Sequence, residues 1–193
     1  MRNTRLQSMI EAAIFAVLAL ALDMFVPSIK IGPSISISFA MIPIFIVALR
    51  WGLKIGFLSG FLWGLLQVIF DPWIIHPVQG AIDYFLAFSF IGFAGLFRNG
   101  VQESLRTGNK GKSLALIISA IFIGSLARYF WHFVSGFVFF AEQLKGFEAV
   151  WFSLTANGIT FLGAFIFCSI IMTLLILSSP RFFVLKQEVQ KRF

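Results

Sequence analysis

The sequence predicts an all-α integral membrane protein of six transmembrane helices with both termini on the cytoplasmic side, and three observations predict it. Of 193 residues, 59% are hydrophobic and 12% charged, against about a quarter charged in an ordinary soluble domain. A soluble fold of this length could not cover that much apolar surface. The apolar residues fall into six runs bounded by charges or Pro/Gly clusters, and a ~30 Å hydrocarbon core takes roughly 20 helical residues per crossing. The cations, finally, gather in alternate loops, the asymmetry that sets orientation in a membrane. Six crossings leave no sizeable soluble domain, so residues 1–193 read as one six-helix domain.

The first span, Met9–Val26, follows Arg2 and Arg5 and so resembles a secretory signal. No small-x-small cleavage site ends it, which makes it a retained helix. Ala12, Ala16 and Ala19 form a flat strip along it, suited either to internal packing or to a partner protein. The second and third spans, Ile35–Leu49 and Ile55–Phe70, are short. Arg50-Trp51-Gly52-Leu53-Lys54 separates them, and two cations in five residues fit a tight turn at a membrane face. Gly56, Gly60 and Gly64 repeat every fourth residue on the third span and mark a close-approach ridge. The remaining spans are Gly80–Phe97, Ser113–Phe139 and Val150–Leu177. Cys168, the only cysteine, lies in the last of them and leaves no disulfide framework or Cys-rich metal site.

The net charge of +7 would point to nucleic acid in a soluble protein. Here twelve of the fifteen Lys and Arg fall on one side: Arg2, Arg5, Arg50, Lys54, Arg98, Arg106, Lys110, Lys112, Arg181, Lys186, Lys191 and Arg192. The opposite loops hold only Lys30 and Lys145, and Arg128 lies within a span. The basic character is thus membrane topology and needs no nucleic acid. Gly108-Asn109-Lys110-Gly111-Lys112-Ser113 ends like a phosphate-binding loop, but Arg106 stands where that loop requires glycine and no strand precedes it.

Ionisable residues within spans cost a few kcal/mol and usually face a cavity or a partner. They are Asp23, Asp83, Arg128 and His132, with neutral Gln67 and Asn157 beside them. Asp83 and Tyr84 open the fourth span at its outer end. Arg128 lies roughly 22 Å along the fifth, His132 one turn further on the same face, with Gly136 continuing it. Asn157 falls about 10 Å below the outer end of the sixth. A carboxylate, a guanidinium, an imidazole and an amide from three helices therefore share one layer, as a small polar ligand with a cationic or amide-like group would require. Trp73, Tyr84, Tyr129, Trp131, Trp151 and Phe152 fall at the same level, either as an interfacial belt or as rings that stack on a heterocycle or meet a cation. Equally open on these residues alone is a structural Asp83–Arg128 ion pair with a satisfied core histidine.

Several strings carry a family resemblance: Met41-Ile42-Pro43-Ile44-Phe45 with Arg50-Trp51-Gly52, and His76-Pro77-Val78-Gln79 leading into Asp83-Tyr84. To these are added Ile123-Gly124-Ser125-Leu126-Ala127-Arg128-Tyr129 with His132 and Ser135-Gly136, and Ser153-Leu154-Thr155 before Asn157. In order and spacing the chain resembles the thiamine-specific substrate-binding subunit of energy-coupling-factor transporters. The resemblance implies a six-helix subunit of the cell membrane with no ATPase and no cofactor of its own. It would hold thiamine in an extracellular-side pocket roofed by the loop between the first two helices. It would dock on a transmembrane coupling protein and two ATPases, with Ala12, Ala16 and Ala19 as the expected docking surface. Binding positions implied are Asp83, Tyr84, Arg128, His132, Gly136, Phe140, Phe152 and Asn157, with Trp73, Trp131 and Trp151 as further aromatic candidates. The chain departs from the family in carrying Asp83 for Glu, Arg128 for Lys, Phe140 and Phe152 for Trp and Tyr, and no Trp in Pro27–Ser34. Arg128, awkward beside a cationic ligand, is expected to pair with Asp83 or another acceptor, or to bond the hydroxyethyl tail.

Three alternatives follow from the same residues: a subunit for another water-soluble vitamin or a thiamine precursor, an intramembrane enzyme using His132 and Asp83 as a general base pair, and a transporter coupled to a proton or ion and working alone. The second lacks a nucleophile or metal set. The third is weakened because no internal repeat relates the two halves.

Overall fold

The computed structural model describes residues 4–32, 34–139 and 146–185. Six helices carry the fold: α1 (Thr4–Phe25), α2 (Ile42–Trp51), α3 (Leu53–Phe70), α4 (Pro77–Arg106), α5 (Lys110–Phe139) and α6 (Phe147–Ser178). All but α2 are long and apolar enough to cross a bilayer. Their outward faces carry large apolar side chains, such as Ile14, Val17, Leu162, Ile166, Ile170 and Leu174, each more than half exposed. A chain in lipid leaves such faces for the acyl chains.

The second predicted span is corrected. Ile35–Ile37 is a strand, β2, paired antiparallel with β1 (Ile29–Ile31) in the register Ile29↔Ile37, Lys30↔Ser36 and Ile31↔Ile35. The alternation Ser34-Ile35-Ser36-Ile37-Ser38 has the period of a strand, and Pro43 sits in the first turn of α2. A helix begun at Ile35 would place that proline in its interior, without an N–H to donate and in collision with the preceding turn. At ten residues and 1.5 Å per residue, α2 is about 15 Å long and cannot span. Ile42 to Leu49 are all buried, so α2 is a core plug wrapped by the longer helices. It ends at Gly52, whose φ of +89° breaks the helix within the predicted turn.

The glycine ridge of α3 faces α4. A Cβ at Gly60 would lie 2.2 Å from the carbonyl oxygen of Phe88, and one at Gly64 would lie 1.8 Å from that of Tyr84. Backbone-to-backbone contact over two turns accompanies a departure from regular geometry in α4. It runs π-helically over Ala81–Leu86, α-helically over Ala87–Phe90 and as a 3-10 helix over Ile91–Phe97. The π segment contains Asp83 and Tyr84. Such single-turn insertions re-aim side chains and recur at functional sites.

The alanine strip of α1 is also corrected. Ala12, Ala16 and Ala19 have no exposed surface, and Ser59 on α3 donates to the carbonyl of Ala12 at 2.8 Å. The strip is the inward face of α1, where small side chains let the helix approach α3, and it offers nothing to a docking partner.

At one end of the bundle the chain closes on itself. Glu11 accepts from Arg50 Nε at 2.9 Å, Arg50 Nη2 at 3.0 Å, Trp51 Nε1 at 2.7 Å and Gln7 Nε2 at 3.0 Å. Arg50 also donates to the carbonyl of Phe182, and buried Gln102 donates to the carbonyls of Leu49 and Phe183. Phe183 is fully buried beneath α2 by these contacts. At the opposite end, Asp23 near the end of α1 accepts from Ser38 at 3.2 Å and from Gln67 of α3. This fixes the β2 to α2 junction. Ile37 of β2 packs on Gly163, where a Cβ would meet it at 2.4 Å. The hairpin thus bridges from α1 to α6 at the end where Asp83 lies.

Candidate functional site

Asp83 is the hub of the polar groups that converge from α4, α5 and α6. Its Oδ1 accepts from His132 Nδ1 at 2.9 Å. Its Oδ2 accepts from Ser135 Oγ and from Gln79 Nε2, each at 2.7 Å. An ionised carboxylate has about four acceptor positions, so these three donors leave one open on Oδ1. The Asp83 and His132 side chains are 14% and 21% exposed, which leaves that position reachable.

Sequence spacing explains the convergence. Gln79 and Asp83 are four residues apart on α4. Arg128, His132, Ser135 and Gly136 repeat at the helical period along one face of α5. The π turn then brings the Asp83 carboxylate onto that face.

Arg128 departs from the expected ion pair. It bonds His132 instead, Nε donating to Nε2 at 3.3 Å. Its guanidinium lies 4.3 Å from the ring centroid of Phe88 and 4.8 Å from that of Trp63, an arrangement in which aromatic faces stabilise a cation. With Nε2 accepting from Arg128 and Nδ1 donating to Asp83, the imidazole is set as the neutral Nδ1–H tautomer. His132 also meets Phe88 edge-on at 6.2 Å and Tyr129 at 5.8 Å.

The α6 contribution is Asn157, whose amide donates to the carbonyl of Ser153 at 3.0 Å, to Ser153 Oγ at 3.2 Å and to the carbonyl of His132 at 3.4 Å. Ser153 Oγ donates to the carbonyl of Phe133 at 2.8 Å. Gly136 permits this helix contact, since a Cβ there would sit 2.2 Å from Ser153 Oγ. Its place is at the α5–α6 seam.

Tyr84 shares the π turn with Asp83 and points to the connection between α3 and α4. Its hydroxyl accepts from the Trp73 backbone N–H at 2.7 Å and donates to the carbonyl of Asp71 at 3.4 Å. Trp73, 66% exposed, gives its backbone N–H to that hydroxyl. Trp131 stacks on Phe90 at 5.5 Å and lines an apolar groove between α4 and α5 with Phe93 and Phe130, away from Asp83. Trp151 packs edge-on against Phe147 at 5.6 Å, and Phe152 is about half exposed beside it. Among the described residues no hydrogen bond or ring contact joins either to the Asp83 cluster. Phe140 lies outside the described residues.

Gln79, Ser135, Ser153, Trp63 and Phe88 are the participants that a search for charged residues passes over. The signal for Gln79 and Ser135 is helical spacing, four residues before Asp83 and three after His132.

Comparison with known proteins places the chain in a family. The family model described as thiamine transporter protein (Thia_YuaJ) matches residues 9–184. The chain is 41% identical over 186 residues to the thiamine transporter ThiT of Bacillus subtilis, covering 93% of this chain and 95% of that protein. With ThiT of Lacticaseibacillus paracasei it shares 31% identity over 190 residues, covering 96% and 94%. A solved structure of ThiT from Listeria monocytogenes superposes with a TM-score of 0.89 at 38% identity, covering 95% of this chain and all of that one. On fold, family model and identity over nearly its whole length, this multi-pass membrane protein belongs to the thiamine transporter protein family.

Proposed function

We propose that this chain is the thiamine-binding subunit of an energy-coupling-factor transporter of the plasma membrane, with thiamine as cargo and no cofactor. Thiamine would bind at the Asp83 end of the bundle, on the extracellular side. The chain would deliver it together with a membrane coupling protein and two ATPases. The cation count supports the orientation: the cytoplasmic loops carry Arg50 and Arg98, at the end of the bundle opposite Asp83.

The observation that carries the proposal is the spare acceptor on Asp83. Thiamine combines an aminopyrimidine, rich in donors and acceptors, with a permanently cationic thiazolium. A carboxylate already held by three donors is pre-organised to accept one more N–H, and its negative charge stabilises the cationic ring. The rings of Tyr129 and Phe88 lie beside His132 and bound this cluster. His132 is committed on both nitrogens, to Asp83 and to Arg128. It therefore has no lone pair free to act as a base, and binding without covalent chemistry is the role that remains.

The test is titration of the purified chain with thiamine, following tryptophan fluorescence, with the isolated pyrimidine moiety and riboflavin as competitors. Submicromolar thiamine binding that riboflavin does not displace is expected. Asp83→Asn should weaken it about 10- to 100-fold, the worth of a charge-assisted hydrogen bond. Tighter binding of riboflavin, or unchanged affinity in Asp83→Asn, would overturn the proposal.

A further inference from the structure

The connection between α3 and α4, residues 71–76, is exposed along its length, with Trp73, Ile74 and Ile75 each presenting 44% or more of their surface. A segment so open has little apolar burial to fix it. Two side chains of α4 tie it to the helix. Tyr84 holds Trp73 and Asp71 as described above. Gln79, only 2% exposed, commits its whole amide. Oε1 accepts from the Ile75 backbone N–H at 3.1 Å, and Nε2 donates both to the Trp73 carbonyl at 3.3 Å and to Asp83 Oδ2 at 2.7 Å. The opposite amide orientation would set oxygen against the carboxylate and N–H against N–H, so the network admits only one. His76 continues the same connection, capping the start of α4 through Nδ1 and stacking on Phe139 at 5.3 Å.

We propose that Gln79 is a positioning residue that couples the 71–76 connection to Asp83, so that ligand capture by Asp83 and ordering of that connection are one linked event. This rests on the thiamine-binding proposal above. A carboxylate that gains a ligand donor holds its orientation more firmly. Through the shared amide, that firmness reaches Ile75 and Trp73. Linkage makes the effect reciprocal: whatever holds the connection in place raises affinity by the factor by which ligand steadies the connection.

The experiment uses the full chain in detergent or nanodiscs, with Gln79→Met, Asp83→Asn and the double variant. Methionine keeps the length of glutamine and removes both halves of the amide. Two readouts are taken: thiamine affinity, and amide exchange across residues 71–76 with and without thiamine. Gln79→Met should weaken thiamine about tenfold or more, but change affinity little when Asp83 is already Asn. It should also speed exchange across 71–76 in the ligand-free protein and remove the slowing that thiamine gives wild type. Unchanged affinity, an equal loss in both backgrounds, or unchanged exchange would overturn the coupling. If wild type fails to bind thiamine, the ligand-free arm still decides. Faster exchange in both Gln79→Met and Asp83→Asn supports the tie, and exchange unaffected by Asp83→Asn refutes it. Should Gln79→Met not fold, Gln79→Glu, which retains the acceptor for Ile75, enters the same cycle.

Discussion

Arg128 and His132 are bonded to each other, the guanidinium Nε donating to the imidazole Nε2 at 3.3 Å. A cation thus stands in the Asp83 layer, where thiamine binding is proposed, without opposing a cationic ligand directly. Its charge is spread against the faces of Phe88 and Trp63, and its N–H fixes which nitrogen of His132 carries the proton. Arg128→Lys should keep the charge but lose the directed donation, and Arg128→Met should lose both. The expected order of thiamine affinity is wild type, then Lys, then Met, with about a tenfold loss or more for Met. Nitrogen NMR of labelled histidine should report one Nδ1–H tautomer in wild type and a mixture in Arg128→Met. A single unchanged tautomer would show that Asp83 alone sets it.

The α3 glycine ridge gives a second prediction. Gly64→Ala places a methyl 1.8 Å from the carbonyl oxygen of Tyr84, and backbone on both sides leaves no flexible group to yield. The helices must part, at a cost of about 1–3 kcal/mol for overpacking, and the turn that aims Asp83 moves with them. Gly136→Ala meets side chains and no backbone, Ser153 Oγ at 2.2 Å, Ser153 Cβ at 3.2 Å and Asn157 Nδ2 at 3.4 Å, and these can shift, so its effect on stability should be smaller. Both are read by thermal unfolding of the purified chain. Thiamine affinity should fall in each, for Gly64→Ala through Asp83 and for Gly136→Ala through Asn157.

These residues also show how far sequence alone reaches. Charges inside apolar runs stand out because lipid makes them costly, and so the sequence alone assigns Asp83, Arg128 and His132 to one layer. The partners that hold them were hidden. Gln79 and Ser135 are neutral and ordinary in composition; they stand in the strings that carry the family resemblance, and a helical register anchored on Asp83 and His132 is what marks them as partners. The π turn is not legible either: no motif in 81–86 announces it, and it lies where the backbone of α4 meets Gly64 of α3. The hairpin was masked because alternating isoleucine and serine keeps mean hydropathy high while changing the period from helix to strand. For Trp131, Trp151 and Phe152 the sequence gives a depth along the helix, and depth does not fix the angle about the helix axis.

Ala16 tests the assignment of the α1 strip. Leucine there adds three carbons to a position with no exposed surface. The isolated chain should lose about 1–3 kcal/mol of stability, seen as a lower unfolding temperature in the absence of any other subunit. A docking strip would behave otherwise, with the isolated chain as stable as wild type and only its assembly impaired. Replacing outward-facing Ile14 with Ala makes the control, since its exposed side chain contributes little to internal packing and the unfolding temperature should hardly change.

The clamp at the opposite end sets the last expectation. Arg50 makes two bonds to Glu11 and one to the carbonyl of Phe182, with its guanidinium 5.7 Å from the Phe182 ring centroid. Its side chain and that of Glu11 are 14% and 17% exposed, so this is a partly buried pair. Removing one partner of such a pair strands the other, at a cost of about 1–3 kcal/mol. Arg50→Ala should therefore lower the unfolding temperature markedly. It should also make the segment after α6 more accessible to protease, because Phe182 loses its donor and its cation together. Glu11→Gln added to Arg50→Ala should recover part of the loss, since it removes the stranded charge while keeping an acceptor for Trp51. Recovery of stability without recovery of protease resistance would separate the two duties of Arg50, neutralising Glu11 and holding down the chain that buries Phe183.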